Sequence, residues 1–253
     1  MLKTRVIPCL LLKGRGLVKT IKFSSPTYIG DPINAIKIFN EKEVDELVFL
    51  DITATKERRG PNLPLLKDIT DECFMPLAYG GGVSNVVQIQ QLLNIGIEKV
   101  VINTSAHENP NFIKEAVRIF GSSTIVVSVD VKKSFFGKQS VYIRGGDKDT
   151  KITPLEYTKR MEELGVGEIL LNSIDADGLM KGYDLGLISQ VSHSISVPLV
   201  SCGGAGNLQD FRKAKDAGAS AVAGGSIFVF KGPNRAVLIS YPTISELENT
   251  LYG

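Results

Sequence analysis

Several residue types are scarce in this chain of 253 residues. It holds two histidines, His107 and His193, and three cysteines, Cys9, Cys73 and Cys202. Both histidines fall in, or just ahead of, stretches of helical character. A histidine-based metal centre is therefore not expected, nor is a Ser-His-Asp hydrolase, and no cofactor is expected. Three thiols cannot all pair, and none has CxxC spacing, so reduced thiols in a cytoplasmic protein are the expectation. No apolar run is long enough to span a bilayer, and the chain does not start with a charged segment followed by an apolar one. Neither a membrane span nor a secretory leader is expected. Charge is nearly balanced, with 29 Lys and Arg against 27 Asp and Glu, and a net +2 gives no general reason to expect nucleic acid. No linker or low-complexity segment divides residues 1–253, which read as one domain. Hydrophobic residues make up 43% of the chain, enough for one large core.

An internal repeat is plainly present. Pro76-Leu77-Ala78-Tyr79-Gly80-Gly81-Gly82 returns 122 positions on as Pro198-Leu199-Val200-Ser201-Cys202-Gly203-Gly204. The same offset pairs Glu46 with Glu168, Leu63 with Leu185, Gly96 with Gly218 and Thr104 with Ser226. One ancestral unit used twice explains a register held over that length. Strand-like runs of Val, Ile and Leu occupy 5–11, 46–52, 76–79, 99–103, 124–130, 168–172, 198–201 and 221–224, apolar on both faces as buried parallel strands require. Helical stretches lie between them. Asp31-Pro32 provides a cap and a first-turn proline; Ser84 or Asn85 opens a later helix and Gly96 stops it. Eight strand–helix units in a chain of this length predict a (β/α)8 barrel made of half-barrels at about 1–121 and 122–253. An open, doubly wound sheet is the competing arrangement. The two-fold repeat favours closure, because two four-unit halves make a ring.

Function in such barrels sits at the C-terminal strand ends. Strand three ends in Gly80-Gly81-Gly82 and strand seven in Gly203-Gly204. Strand four ends in Asn103-Thr104-Ser105 and strand eight in Gly224-Gly225-Ser226. Glycines there let backbone N–H groups approach an anion, and the following helix N-terminus favours negative charge. A hydroxyl at Thr104 or Ser226 completes each phosphate cup. Glycines that only make tight turns are the plainer explanation, but two cups repeated by symmetry favour phosphate. The cups face each other across the mouth, so the expected ligand is long and phosphorylated near each end. Asp177-Gly178, after strand six, is expected to line the second cup. Between the cups the strand ends offer Asp130, Asp51, Asn172 and, just beyond strand six, Asp175. An apolar wall raises a carboxyl pKa toward the working pH, so Asp130 is the preferred proton carrier. Asp51 and Asp175 fit catalysis or loop anchoring equally. Near strand one the repeat shifts to an offset of 119, and Leu11 stands where the second half has Asp130. Leucine cannot transfer a proton.

Over nearly its whole length the chain resembles the cyclase subunit of imidazole glycerol phosphate synthase. The resemblance rests on Arg5-Val6-Ile7-Pro8-Cys9-Leu10, Gly80-Gly81-Gly82, Ile102-Asn103-Thr104, Glu168-Ile169-Leu170-Leu171, Ser173-Ile174-Asp175, Asp177-Gly178, Gly182-Tyr183-Asp184 and Gly203-Gly204-Ala205-Gly206. It implies that ammonia from a partner glutaminase passes up the barrel axis. At the top it attacks a bis-phosphorylated ribulosyl aminoimidazole carboxamide, giving imidazole glycerol phosphate and an aminoimidazole carboxamide ribotide. The family's phosphate sites fall on the glycine cups. Arg5, Glu46, Lys99 and Glu168, at the N-terminal strand ends, are expected to form a ring of ion pairs. Such a ring can be a structural plug; the resemblance implies an ammonia gate, with the glutaminase docked on that face. The chain has no local cysteine signature for hydrolysing glutamine itself.

The resemblance also implies an aspartate on strand one, where this chain has Leu11, and a threonine where it has Asn172. The segment 12–30 also departs from the family, keeping Lys13, Lys19 and Lys22, with Gly14 and Gly16 as hinges of an expected lid. The basic segment after strand five (Lys132, Lys133, Arg144, Lys148 and Lys151) covers an anionic ligand or is simply solvated. Three functions fit. One is a paralogue that keeps the channel and partner but serves amidino-sugar formation for surface polysaccharide. Another is a genuine histidine-pathway cyclase in which Asp130 and another group, such as Asp51, suffice. The third is a non-catalytic ammonia conduit and docking scaffold. The isomerase of the same pathway needs both aspartates and has no use for the four-residue ring.

Overall fold

A computed structural model describes residues 3–252. Eight strands run parallel: β1 (Arg5–Lys13), β2 (Leu47–Asp51), β3 (Leu77–Gly80), β4 (Lys99–Ile102), β5 (Ile125–Lys133), β6 (Glu168–Ser173), β7 (Leu199–Cys202) and β8 (Ala221–Gly224). Each pairs with the next, and β8 returns to β1 with Arg5 opposite Ala221. The sheet is closed, which excludes the open arrangement. Alternation along each strand divides the core in two. Ile7, Val48, Ala78, Val101, Val126, Leu170, Val200, Ala221 and Ala223 form an inner cluster. Their neighbours, such as Val6, Phe49, Tyr79, Val127 and Leu171, belong to the larger cluster shared with the helices.

The expected strand ends shift for simple reasons. Pro76 and Pro198 have no N–H to give a ladder, and β3 and β7 begin one residue later. β1 and β5 run past Leu11 and Asp130 because each turns into a hairpin. β1 pairs antiparallel with Gly16–Ile21, which pairs with Ser24–Gly30; β5 pairs with Gln139–Ile143. Segment 12–30, expected as a hinged lid, is thus an ordered hairpin at the C-terminal mouth. Helix Pro32–Glu41 starts as the sequence indicates, with Asp31 accepting from the Ile33 and Asn34 N–H groups. Asn85, not Ser84, caps Val86–Asn94, and Gly96 follows its end at φ +102°.

Candidate functional site

A cavity of about 280 Å³ opens at the C-terminal ends of the strands. Asp130 and the residues expected to bind substrate line it, from Lys19 and Asp51 to Gly225 and Ser226. Asp175 does not. Its carboxylate accepts from the Lys133 N–H at 2.7 Å and ties the β5 hairpin to the segment after β6, which is anchoring rather than chemistry.

Two walls of the cavity are the glycine turns. A Cβ on Gly81 would lie 2.6 Å from the Asp51 carbonyl, and one on Gly204 2.1 Å from the Gly182 carbonyl; both backbones have positive φ. Only glycine fits. Among the described residues, eight helices are capped by a side chain: Asp31, Asn62, Asn85, Asn109, Thr153, Asp184, Asn207 or Thr243. The short helices Thr104–Glu108 and Ser226–Val229, related by the repeat, have none. Their first N–H groups are left for something else to satisfy. At the second turn, Arg235 donates to the Gly178 carbonyl at 3.0 Å and stands 3.5 Å from Ser226 Oγ. It reaches there from beyond β8, and no local sequence signal marks it.

The carboxylates differ in use. Asp130 is buried, and burial pushes its pKa up to about 7; the negative charge of Asp177 adds to this, while the hydrogen bond from Ser128 Oγ (3.0 Å) opposes it. Ser128, two residues back on the same face, is a partner that strand alternation alone would have named. Asp51 is committed elsewhere. It accepts from the Thr53 and Ala54 N–H groups at 3.0 and 3.1 Å and pairs with Arg59 at 2.8 Å. Asp177, expected to line the second cup, does face the cavity, but its carboxylate holds the β1 hairpin. It accepts from Lys19 Nζ and Thr20 Oγ1, both at 2.8 Å, and its carbonyl accepts from Lys22 N. Lys133, Arg144 and Lys151 in the basic segment are paired with Asp184, Glu108 and Asp149. Leu11, at the strand-one position that the repeat equates with Asp130, also lines the cavity and stands in register with Leu50.

At the other end of the barrel Arg5 bridges Glu46 and Glu168. Lys99 Nζ donates to Glu46 at 3.0 Å and to Glu168 at 3.4 Å. The four side chains close a ring beneath the inner apolar cluster. Among the described residues, no three His, Cys, Asp or Glu side chains are grouped to hold a metal ion, and no helix is long and apolar enough to cross a membrane.

The architecture is that of a two-fold repeated (β/α)8 barrel with one large cavity at its mouth and an ion-pair ring at its base. Residues 5–233 match the family described as histidine biosynthesis protein. The chain is 50% identical to the provisionally named imidazole glycerol phosphate synthase subunit hisF2 of Pseudomonas aeruginosa, covering 98% of this chain and 99% of that one. It is 46% identical to a provisionally named HisF subunit of Leptospira interrogans over the full length of both. It is 41% identical to the imidazole glycerol phosphate synthase subunit HisF of Petrotoga mobilis, covering 90% of this chain and 91% of that one. The chain belongs to the histidine biosynthesis protein family, and within it to the HisF-like subunits of imidazole glycerol phosphate synthase.

Proposed function

We propose that this HisF-like subunit receives ammonia from a glutaminase docked on the N-terminal face of the barrel and uses it on a phosphorylated small molecule at the mouth. We further propose that it is a paralogue whose product is an amidino sugar for surface polysaccharide. The observation that carries this is the pairing of a complete ring, Arg5–Glu46–Lys99–Glu168, with a mouth in which Leu11 stands at the position that the repeat equates with Asp130. The supply end is intact while the reaction end is altered. The relatives agree with that division: those with provisional names reach 50% and 46% identity, against 41% for HisF of Petrotoga mobilis. Three unpaired thiols fit a reducing cytoplasm.

The chemistry follows from the groups present. Ammonia attacks through its lone pair, so it must arrive unprotonated. The inner, mostly apolar cluster between ring and cavity would disfavour ammonium far more than the neutral molecule. The uncapped helices at Thr104 and Ser226 would hold phosphates at the two ends of the ligand. Asp130, with its pKa near 7, would take the proton released when the C–N bond forms or give one to the leaving group. Asp51 is a poor second carrier, because both its oxygens are already engaged, by Arg59 and by two backbone N–H groups.

A genuine histidine-pathway cyclase remains the second reading, and the retention of both cups favours it. The decisive experiment is turnover of the bis-phosphorylated imidazole precursor with excess ammonium at mildly alkaline pH. The expected result is no turnover by the unaltered protein and activity in Leu11→Asp. Turnover by the unaltered protein would make it a histidine-pathway cyclase. No activity in either would favour a conduit that passes ammonia onward.

A further inference from the structure

Beyond the C-terminal mouth, β5 turns back through residues 134–138 into the antiparallel strand Gln139–Ile143. The turn is tightly made. Gly137 N donates to the Ser134 carbonyl at 2.9 Å, Ser134 N to the Lys138 carbonyl at 2.8 Å and Lys138 N to Ser134 Oγ at 3.1 Å. Its two central residues are Phe135 and Phe136, 98% and 93% exposed. Turn centres usually carry Gly, Pro, Asn, Asp or Ser. The two rings lean on each other, edge to face with centroids 5.5 Å apart, and folding buries neither. Cations surround them. From Val131 to Gly146 the chain has Lys132, Lys133, Lys138 and Arg144 and no acidic residue. The nearby carboxylates are already engaged: Asp147 pairs with Lys56, Asp149 with Lys151 and Asp184 with Lys133. Lys138 on the turn, Lys148 in register with Ile143, and Lys181 just before Asp184 are exposed and have no ion-pair partner among the described residues. Asp175 at Lys133 N and Asp184 at Gln139 Nε2 (3.2 Å) hold the hairpin to the barrel. An anchored apolar finger, with lysines around it that nothing in the chain neutralises, projects from the mouth.

We propose that this hairpin is a membrane-surface anchor: Phe135 and Phe136 enter the boundary between headgroups and acyl chains of an anionic bilayer, and Lys138, Lys148 and Lys181 meet its headgroups. Apolar insertion and basic charge are the two signals that together hold a protein at such a surface, each too weak alone. A protein partner fits less well. Two phenylalanine rings offer roughly 150–250 Å² each, well short of the about 800 Å² per side that a stable protein interface buries. Their neighbours in the turn are Ser134, Gly137 and lysines rather than further apolar surface. A bilayer needs no complementary surface. The anchor lies on the membrane and does not cross it. It turns the mouth of the barrel toward the bilayer and leaves the N-terminal face free for a partner. The inference stands apart from the reaction proposed above.

The chain contains no tryptophan, so Phe136→Trp places a single fluorescent reporter at the tip. With vesicles of phosphatidylcholine and phosphatidylglycerol in equal parts, its emission is expected to shift to the blue; an unshifted spectrum overturns the proposal. The unaltered protein is expected to sediment with these vesicles at low salt and to be released as salt rises. The double variant Phe135→Ser, Phe136→Ser is expected to bind them on the order of tenfold more weakly, and Lys138→Glu roughly fivefold more weakly. All three positions are exposed and outside the cavity lining, so circular dichroism is expected to match that of the unaltered protein. Failure of the unaltered protein to bind, or equal binding by the serine variant, overturns the proposal. Self-association that the serine variant loses, without vesicle binding, assigns the rings to a second copy of the chain and overturns it equally.

Discussion

At the mouth of the barrel, the first half sets Leu11 beside Leu50 where the second half sets Asp130 beside Asn172. The glycine turns and uncapped helices flanking these pairs are retained in both halves. Backbone features that bind an anion need only glycine and a free helix end, and they survive duplication with little upkeep. Side chains that move protons or read a substituent can diverge independently. The halves teach which part of the site is scaffold and which part is choice.

The largest test of that division exchanges the choice. Asp130→Asn should abolish ammonia-dependent turnover, a loss on the order of 10²–10⁴ in rate, measured with ammonium chloride in excess. An unchanged rate would remove Asp130 from the mechanism and leave the asymmetry without chemical meaning. The base of the barrel offers the next contrast. Lys99→Ala should alter turnover with glutamine and the partner glutaminase differently from turnover with free ammonia. Equal effects would make the ring Arg5–Glu46–Lys99–Glu168 a plug only. Because the ring is closed by three charged neighbours, removing Lys99 leaves Glu46 and Glu168 sharing only Arg5. A loss of several kcal/mol in stability should accompany the kinetic change.

The carboxyl of Asp130 also gives stability a direction with pH. Its pKa is raised from 3.8 to about 7 by burial, so the folded state binds its proton more tightly than the unfolded chain. Its contribution is fully present below about pH 4 and is lost as pH rises through about 7, by at most about 1.4 kcal/mol per pH unit within that window. Urea unfolding of Asp130→Asn between pH 5 and about 8 should lack this decline, so the variant gains on the parent as pH rises. Parallel pH profiles would mean that Asp130 is solvated. Leu11 supplies no corresponding term from the first half.

How far the sequence reaches is also uneven. The strands, turns and cavity-facing glycines were legible because they are local and are written twice. Asp130 and Leu11 could be compared because the repeat aligns them. The hairpin after β1 is hidden in the sequence, since Gly16–Ile21 reads as part of a hinged lid until Lys19 and Thr20 meet Asp177 more than a hundred residues away. Arg59 and Arg235 act through contacts that no spacing rule marks. From the sequence Asp175 fits chemistry as well as Asp51 does, yet it lies outside the cavity lining; two residues beyond a strand end, alternation no longer says where a side chain faces.

The smallest expected difference lies in the caps of the two helices that follow the glycine turns. Asn85 accepts from the Gln88 N–H at 3.0 Å, and the Gln88 side chain reaches back only to Ser84. Asn207 accepts from the Asp210 N–H at 3.1 Å, and Asp210 in turn accepts from the Gly206 and Asn207 N–H groups at 2.9 and 3.2 Å. The second cap is reciprocal and carries a carboxylate at the positive end of the helix; the first is neutral. Alanine at either position should cost about 0.5–2 kcal/mol. The Asn207→Ala loss should be the larger, because Asp210 is buried and depends on that turn for its partners. Thermal unfolding of the two variants at one pH would compare them. A larger loss at Asn85 would mean that the carboxylate of Asp210 holds its turn without the asparagine, and that the second cup is the sturdier half for a different reason.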